Sequence, residues 1–411
     1  MNDDAVVLAQ LSDVSVASLT FDMVRFSRAS MTAVCTASRT HTAVTKLTLL
    51  RDIYGEQHDV VSSDRLVAAF AAEDRLSSFT KSPFQSVSPH LHGLLLTWLS
   101  QTTQLTHFGV ADHLANFGGS TNFPSIAAKS ALLTAAIRCT TMRALTLDLA
   151  STFTTTVFDD VCAALATNTH LSELDFANCG LSSSQSLRLA QSLSQLVTVI
   201  DLSKCCLDAE FVCYISSLRR LKRLRCLSAK FVSHPATIDA LLDLVASSRC
   251  LESVAISLHK SLPLRRFLFD DRQLARIIEI VQSPIATRLE TFSCHGFSMA
   301  NDDARADFRQ RIEAAVGENH SLLALDLSPL LPATPSNRLI GVVTRNRFAK
   351  WSNRKWNIAA IAFAMAELDL PAYVLLEIID SIEAFTFTRH GCKIACLILV
   401  KNAWRRKALT A

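Results

Sequence analysis

Two segments in the middle of the chain repeat one spacing of apolar residues. They cover residues 171–181 and 197–207, and their first residues lie 26 positions apart. In both segments apolar residues occupy positions 1, 4, 6 and 11, and a cysteine (Cys179 or Cys205) occupies position 9. Five matching positions in each copy, at a repeat-like interval, predict a structure of stacked copies in which each copy begins with a strand.

The spacing of positions 1, 4 and 6 recurs on both sides of these two segments. The clearer copies begin at Leu105, Met142, Leu221, Leu251, Leu289 and Leu322. Weaker copies begin at Val16, Val44 and Leu76. The best copies start 26 to 30 residues apart, which leaves room for a strand and a full helix in each repeat.

The intervals between the copies have the periodicity of helices. Phe158, Val161, Cys162 and Leu165 follow the i, i+3, i+4, i+7 spacing of an amphipathic helix. The same spacing occurs in residues 238–245, and residues 302–316 place Phe308, Ile312 and Val316 on one face. Strands that alternate with helices predict a parallel sheet with the helices packed against it, so the fold class is α/β.

This pattern resembles the leucine-rich repeat, and cysteine at position 9 resembles the ribonuclease-inhibitor type of that repeat. At position 9 the side chain of such repeats ties the turn after the strand to neighbouring backbone. The resemblance covers residues 16–347. It implies a horseshoe-shaped solenoid with a parallel sheet on the concave side, helices on the convex side, and proteins as ligands.

Composition limits the classes of protein that remain. Hydrophobic residues make up 49% of the chain and the mean hydropathy is +0.26. The longest apolar runs, residues 358–368 and 392–400, are shorter than the roughly 20 residues that span a membrane. The first residues lack the features of a secretory signal, so the 12 cysteines are expected to be reduced. We therefore expect a cytoplasmic protein, with nuclear residence as an open alternative.

Signatures of catalysis and of cofactor binding do not occur in the sequence. It contains no phosphate-binding glycine loop, no G-x-S-x-G elbow and no H-E-x-x-H pair, and only 10 glycines. His390, Cys392 and Cys396 are the nearest approach to a metal-ligand cluster, and core packing is the favoured interpretation. We expect a non-enzymatic protein without metal or cofactor.

The strand copies carry charged residues at positions 2, 3, 5 and 7. These positions include the side chains that face solvent when the others enter the core. The charged residues are Asp148, Glu173, Asp175, Asp201, Lys222, Arg225, Glu252, Glu290 and Asp326. Acidic residues beside basic ones predict a concave surface that binds a protein of complementary charge, and a merely solvated sheet face is the alternative.

Residues 219–225 form the densest cluster of charge in the chain. Because Leu221 and Leu224 belong to the repeat frame, a solvated approach to the strand is the favoured interpretation. The alternatives are contact with nucleic acid or with an anionic membrane. The net charge of only +4 gives no independent support for nucleic-acid binding, and we expect none.

The chain is predicted to have two domains. Residues 1–350 form the solenoid, with the clearest repeats in 142–330, and residues 351–411 form an all-α segment. Residues 370–378 and 399–406 resemble the opening and the closing of an F-box. That resemblance implies docking to a Skp1-type adapter through Leu370, Pro371, Leu375 and Ile378. The favoured interpretation is a helical cap on the end of the array.

Three functions are therefore compatible with the sequence. The first is a scaffold that binds a protein partner and performs no chemistry. The second is a substrate receptor of an SCF-type ubiquitin ligase, in which the repeats select the target. The third, a regulator of a small GTPase, rests on analogy of fold alone, and the basic tail differs from the acidic tail of such activators.

The repeat frame makes a direct prediction for Leu174, which occupies position 4 of a central copy. We expect Leu174→Ala to lower the free energy of unfolding by about 2–5 kcal/mol, because the lost methyl groups leave a cavity in the core. A thermal melting curve checks this. A variant that melts like the parent would contradict the assigned frame.

Overall fold

The structure is a computed structural model, and it describes the chain in separate stretches. These are residues 18–22, 25–26, 44–50, 54–55, 61–82, 89–111, 125–149, 154–231, 234–258, 267–282, 288–295, 297–298, 302–327, 343 and 346. The chain divides into two compact units, Met1–Ala240 and Leu241–Ala411, and the division falls inside a helix. Each unit is described by itself.

Among the described residues of the first unit, eight strands form one parallel sheet in chain order. They are β1 (Ser18–Asp22), β3 (Lys46–Leu50), β5 (Ser78–Ser82), β6 (His107–Ala111), β7 (Ala144–Asp148), β8 (Glu173–Asp175), β9 (Val199–Asp201) and β11 (Arg223–Phe231). Two short strands, β2 (Arg25–Phe26) and β4 (Tyr54–Gly55), pair with each other, and β10 (Cys206–Leu207) pairs with β11.

The register of this sheet follows the repeat frame. Neighbouring strands align their position 4 residues, which are Leu19, Leu47, Phe79, Phe108, Leu145, Leu174, Ile200 and Leu224. From Leu47 onward each of these side chains is at most 2% exposed. The weaker copies that begin at Val16, Val44 and Leu76 are therefore strands of the same sheet, as predicted.

A helix lies between consecutive strands of this sheet from β3 onward. These helices are α1 (Val61–Ala71), α2 (Pro89–Gln101), α3 (Ile126–Arg138), α4 (Thr155–Thr167), α5 (Ser183–Gln191) and α6 (Ala209–Ile215), and α7 (His234–Ser247) follows β11. Parallel neighbours need a crossover connection of fixed hand, so crossovers in one direction place the helices on one side of the sheet. Helix α4 buries Phe158, Val161, Cys162 and Leu165, as the periodicity predicts.

The second unit repeats the same arrangement. Strands β12 (Ser253–Leu258), β14 (Thr291–His295) and β16 (Ala324–Asp326) are parallel and align Val254, Phe292 and Leu325. Short strands β13 (Phe267–Leu268) and β15 (Phe297–Ser298) pair beside them. Helices α8 (Asp271–Gln282) and α9 (Asp302–Glu318) pack together, and α9 buries Phe308, Ile312 and Val316.

Both units are α/β stacks of leucine-rich repeats, which confirms the predicted fold class. The predicted helical segment 351–411 lies outside the described residues, and so does the predicted domain boundary after residue 350.

The cysteines at position 9 connect successive repeats. The Cys179 thiol donates to the carbonyl oxygen of Leu147 at 3.1 Å, and the Cys205 thiol donates to that of Phe176 at 3.5 Å. Burial raises the pKa of Cys205 to about 12 and that of Cys179 well above its ordinary value, so both remain protonated donors. Each thiol thus links its turn to position 6 of the preceding repeat.

Asparagine side chains make a second link between repeats, which the sequence analysis does not identify. Asn168 stands three residues before Leu171, and its Oδ1 accepts from the backbone N–H groups of His170 (2.8 Å) and Leu171 (2.7 Å). Its amide donates to the carbonyl oxygen of Ile137, at the end of the preceding helix. Asn319 makes the same kinds of bond in the second unit.

Lys81 is a charged residue at a position that is apolar in the neighbouring copies. It occupies position 6 of its copy, aligned with Leu49 and Val110, and it is only 1% exposed. A charged residue at a core position explains why the copy that begins at Leu76 matches the frame weakly in the sequence.

The link made by Asn168 predicts a measurable loss of stability. We expect Asn168→Ala to lower the free energy of unfolding by about 1–3 kcal/mol, because it leaves buried backbone groups without partners. Asn168→Asp keeps the acceptor for His170 and Leu171 but loses the donor and sets a carboxylate against the carbonyl oxygen of Ile137, so it should also lower the free energy of unfolding. Urea unfolding followed by circular dichroism measures both variants. An alanine variant as stable as the parent would contradict this role.

Candidate functional site

Charged side chains form a row across the centre of the first unit's sheet. The register aligns the position 5 residues Thr146, Asp175, Asp201 and Arg225 on adjacent strands. Adjacent strands lie about 4.8 Å apart, so the row changes from neutral to acidic to basic within three strand steps. We call these four residues the charged row.

Asp201 is held by several partners at the centre of this row. Its Oδ1 accepts from the backbone N–H of Ser203 at 2.9 Å, and its Oδ2 lies 3.4 Å from the guanidinium of Arg225. Asp201 is only 7% exposed, whereas the Arg225 side chain is 56% exposed. The pair therefore presents mainly its cation to solvent.

Asp148 is also covered. Its Oδ2 accepts from the side-chain amide of Asn178 at 2.8 Å, and Asn178 adopts a left-handed backbone with φ of 60° in the turn after β8. Asp148 is 6% exposed. The prediction that Asp148 and Asp201 face solvent is therefore wrong, because polar groups of the turns after the strands cover them. Their predicted role in binding a partner stays a prediction.

Asp175 lies half-buried between these two carboxylates. Burial raises its pKa above the ordinary value, and repulsion from Asp201 and Asp148 adds to the effect. The backbone N–H of Ala177, which donates to Asp175 Oδ1 at 2.9 Å, and the charge of Arg225 oppose the rise and do not outweigh it. We call Asp148, Asp175 and Asp201 the acidic cluster, and its charges repel one another.

The basic side of the row is larger than the predicted set of residues. Lys222 and Arg225 are exposed as predicted, and so are Arg219, Arg220 and Arg223. Leu221 and Leu224 are buried in the core, as the repeat frame requires. Arg223 occupies position 3 of the copy that begins at Leu221, so the repeat frame could have identified it, whereas Arg219 and Arg220 precede that copy.

The other residues predicted to bind a partner lie outside the charged row, one in the first unit and three in the second. Glu173 is exposed at position 3 of the copy that begins at Leu171, beside the charged row. In the second unit, Glu252 and Glu290 are half-buried at position 2 of successive copies, and the backbone N–H of Glu290 donates to the carbonyl oxygen of Glu252 at 2.7 Å. Asp326 is exposed, and its Oδ2 lies 3.3 Å from His295 Nε2.

Within the part of the chain that the structure describes, no group of three or more His, Cys, Asp or Glu side chains could hold a metal ion. None of the described helices is both long enough and apolar enough to cross a membrane. The arrangement on the sheet face offers hydrogen bonds and ionic contacts to a ligand.

No protein-family model matches this chain, and no curated protein matches it. Among solved structures it is similar to an internalin, inlF, from Listeria monocytogenes str. 4b F2365. The two share 11% sequence identity with a TM-score of 0.36, and the similarity covers 82% of this chain and 92% of the internalin chain. The assignment of the fold rests on the strand order and register of this chain.

The acidic cluster predicts that Asp175 opposes folding at neutral pH. Because its pKa is raised in the folded chain, its ionisation destabilises the fold above the ordinary carboxyl pKa of about 3.9. Asp175→Asn keeps an oxygen acceptor for Ala177 and removes the repulsion. We expect this variant to be more stable than the parent by about 0.5 kcal/mol at pH 7.

The gain from Asp175→Asn should shrink as the pH falls, because Asp175 of the parent then becomes neutral as well. Urea unfolding of both proteins at about pH 7 and about pH 4.5 measures this difference. A variant less stable than the parent at pH 7, or a gain that does not depend on pH, would contradict the inferred repulsion.

Proposed function

We propose that this chain is a non-enzymatic scaffold that binds a protein partner through the exposed sheet face of its first unit. The observation that carries the proposal is the strand register, which sets the half-buried Asp175 beside Asp201 and Arg225 on the sheet face. A half-buried carboxylate that is repelled by two neighbours is unfavourable for folding, and such groups are typical of functional sites rather than of inert surfaces. A cation of a partner placed over the acidic cluster would relieve the repulsion.

The partner would meet both signs of charge on this face. A cationic side chain would contact Asp175 and Glu173, while an acidic one would contact Arg225 and Lys222. Complementary charge increases the association rate and disfavours partners of the wrong pattern. In the second unit we propose Glu252, Glu290 and Asp326 as further contacts, and we retain the covered residues Asp148 and Asp201 as groups that set the charge of the site.

We also propose that the repeats are of the ribonuclease-inhibitor type and that the protein is cytoplasmic. Cys179 and Cys205 support both statements, since cysteine replaces asparagine at position 9 and acts as a thiol donor to backbone oxygen. That bond requires a reduced thiol, which a reducing compartment maintains. The spacing of the best copies agrees with this type.

A second candidate function is that of a substrate receptor of an SCF-type ubiquitin ligase. It rests on the F-box-like sequence in the proposed C-terminal domain, residues 351–411, which follows the proposed solenoid of residues 1–350. Leu370, Pro371, Leu375 and Ile378 would contact a Skp1-type adapter. All four lie outside the described residues, so this alternative is supported by sequence alone.

A charge reversal on the sheet face tests the scaffold. We expect Asp175→Lys in the full-length chain to weaken binding of the partner at least about tenfold, because it repels the partner's cation. The substitution is compatible with folding, since lysine then lies beside Asp148 and Asp201. The partner is identified by affinity purification with the parent chain, and its dissociation constant is measured with purified proteins.

Glu318→Lys is the matched control for this experiment. It makes the same change of charge on an exposed residue at the carboxyl end of α9, where a cation suits the helix dipole. The control should bind the partner like the parent. If Asp175→Lys also binds like the parent, the sheet face of the first unit is not the contact surface.

The same purification distinguishes the ligase receptor. A Skp1-type adapter that is recovered with the parent and lost after combined alanine substitution of Leu370, Leu375 and Ile378 would favour that function. Recovery of one partner by both proteins, without an adapter, favours the plain scaffold.

A further inference from the structure

We propose that the basic edge of the first unit binds an acidic segment of the partner protein. The basic edge comprises Arg143, Arg219, Arg220, Lys222 and Arg223, which lie where the strands of the central repeats begin. This inference rests on the proposed function, because it assigns the chemistry of one part of that partner. It concerns a different set of side chains from the acidic cluster.

These residues form one continuous edge in space. Backbone N–H groups of successive repeats donate to the position 2 residue of the repeat before: Ser172 to Arg143, Thr198 to Ser172, and Lys222 to Thr198, at 2.7–2.8 Å. Arg143 and Lys222 are thus three strand steps apart, or about 14 Å. Arg219 and Arg220 lie in the turn that leads into the last of these strands.

Three arginines of this edge have no carboxylate partner among the described residues. Arg219, Arg220 and Arg223 are exposed, and within the described part of the chain none has an acidic partner within 4.0 Å. The guanidinium of Arg143 contacts backbone carbonyl oxygens of Thr140 and His170, both at 3.3 Å, which leaves its charge in place.

Several arginines on the helices behave differently. Arg188 pairs with Asp159, Arg309 with Glu313 at 3.0 Å, and Arg311 with Asp307 at 3.3 Å. The chain therefore neutralises these helical cations with its own carboxylates. Among the described residues, it provides no such carboxylate for Arg219, Arg220 or Arg223.

The backbone beneath the cations is anchored by buried leucines and by hydrogen bonds to the neighbouring strand. Leu221 and Leu224 are at most 1% exposed in the core, and the N–H groups of Lys222 and Arg223 both donate to the carbonyl oxygen of Thr198, at 2.8 and 3.0 Å. The backbone positions of these residues are consequently fixed before any ligand arrives, which reduces the backbone entropy lost on binding.

The helix dipole does not explain the whole cluster. Cations are stabilised within the last turn of a helix, and α6 ends at Ile215. Arg219 and Arg220 lie beyond that turn, and Arg223 belongs to strand β11. A binding role explains cations at these positions better than helix stability does.

The neighbouring acids favour a protein segment over a nucleic acid or an anionic membrane. Glu173 and the half-buried Asp175 lie two strand steps from Arg223, so a long polyanion that continues past the edge would meet negative charge, whereas a short acidic segment confined to the edge would not. Single-stranded nucleic acids also bind through exposed aromatic side chains. Ile126 is the one large hydrophobic side chain that is exposed among the described residues, and it is not aromatic.

The test uses the full-length chain and a fluorescent octaglutamate peptide as the probe, with fluorescence anisotropy at about 50 mM salt. We expect binding that weakens as the salt concentration rises to about 200 mM. The triple variant Arg219→Gln, Arg220→Gln, Arg223→Gln should bind about tenfold more weakly. The control triple variant Arg188→Gln, Arg309→Gln, Arg311→Gln loses the same charge from the helices and should bind within about twofold of the parent.

Equal weakening by the two triple variants, or no binding of the peptide, would overturn the proposal. An oligothymidylate or vesicles containing phosphatidylserine serve as competing probes. If either binds the parent more tightly than the peptide and is lost in the Arg219, Arg220 and Arg223 variant, the ligand is a polyanion of that class and the proposal is wrong. If the parent does not bind the peptide but Asp175→Lys still weakens binding of the partner, this inference fails and the proposed function stands.

Discussion

Each repeat of this chain depends on the repeat beside it, because one strand and one helix cannot enclose the apolar residues that they carry. The aligned position 4 side chains, from Leu47 to Leu224, become buried only when neighbouring strands share one register. A shift of one residue would place them on the solvent face and place Asp175 and Arg225 in the core. The surface chemistry is therefore fixed by the packing of the core.

The apolar frame was predictable from the sequence because the period of the repeat is visible in single residues, including the weak copies near the amino terminus. The hydrogen bonds that link successive repeats were harder to predict from the sequence. Asn168 lies outside the strand motif, and its three bonds involve groups of two different repeats, which no pattern within one repeat reveals. The burial of Lys81 could not be predicted either, because a lysine at position 6 interrupts the apolar pattern by which core positions are identified.

The candidate site was likewise predictable from the sequence only in part. Strand alternation correctly predicted the exposure of Glu173 and Arg225, and Lys222, which precedes its strand, is exposed as well. It failed for Asp148 and Asp201 because alternation describes the backbone alone. The turns after β8 and β9 bring polar groups over those carboxylates, and left-handed residues such as Asn178 shape these turns. Exposure at position 5 or 7 therefore depends on turn conformation as well as on strand parity.

The charges of the first unit are concentrated in its later strands, and this bears on specificity. Along the position 5 row, Thr20, Thr48, Thr80 and Thr146 precede Asp175, with Gly109 among them. A Cβ at Gly109 would lie 2.9 Å from Thr80 Oγ1, so this neutral part of the row is closely packed. Hydroxyl groups accept many partners, whereas adjacent acidic and basic groups at fixed spacing accept few. Under the proposed function, the transition from threonine to charge would place selectivity in β8, β9 and β11.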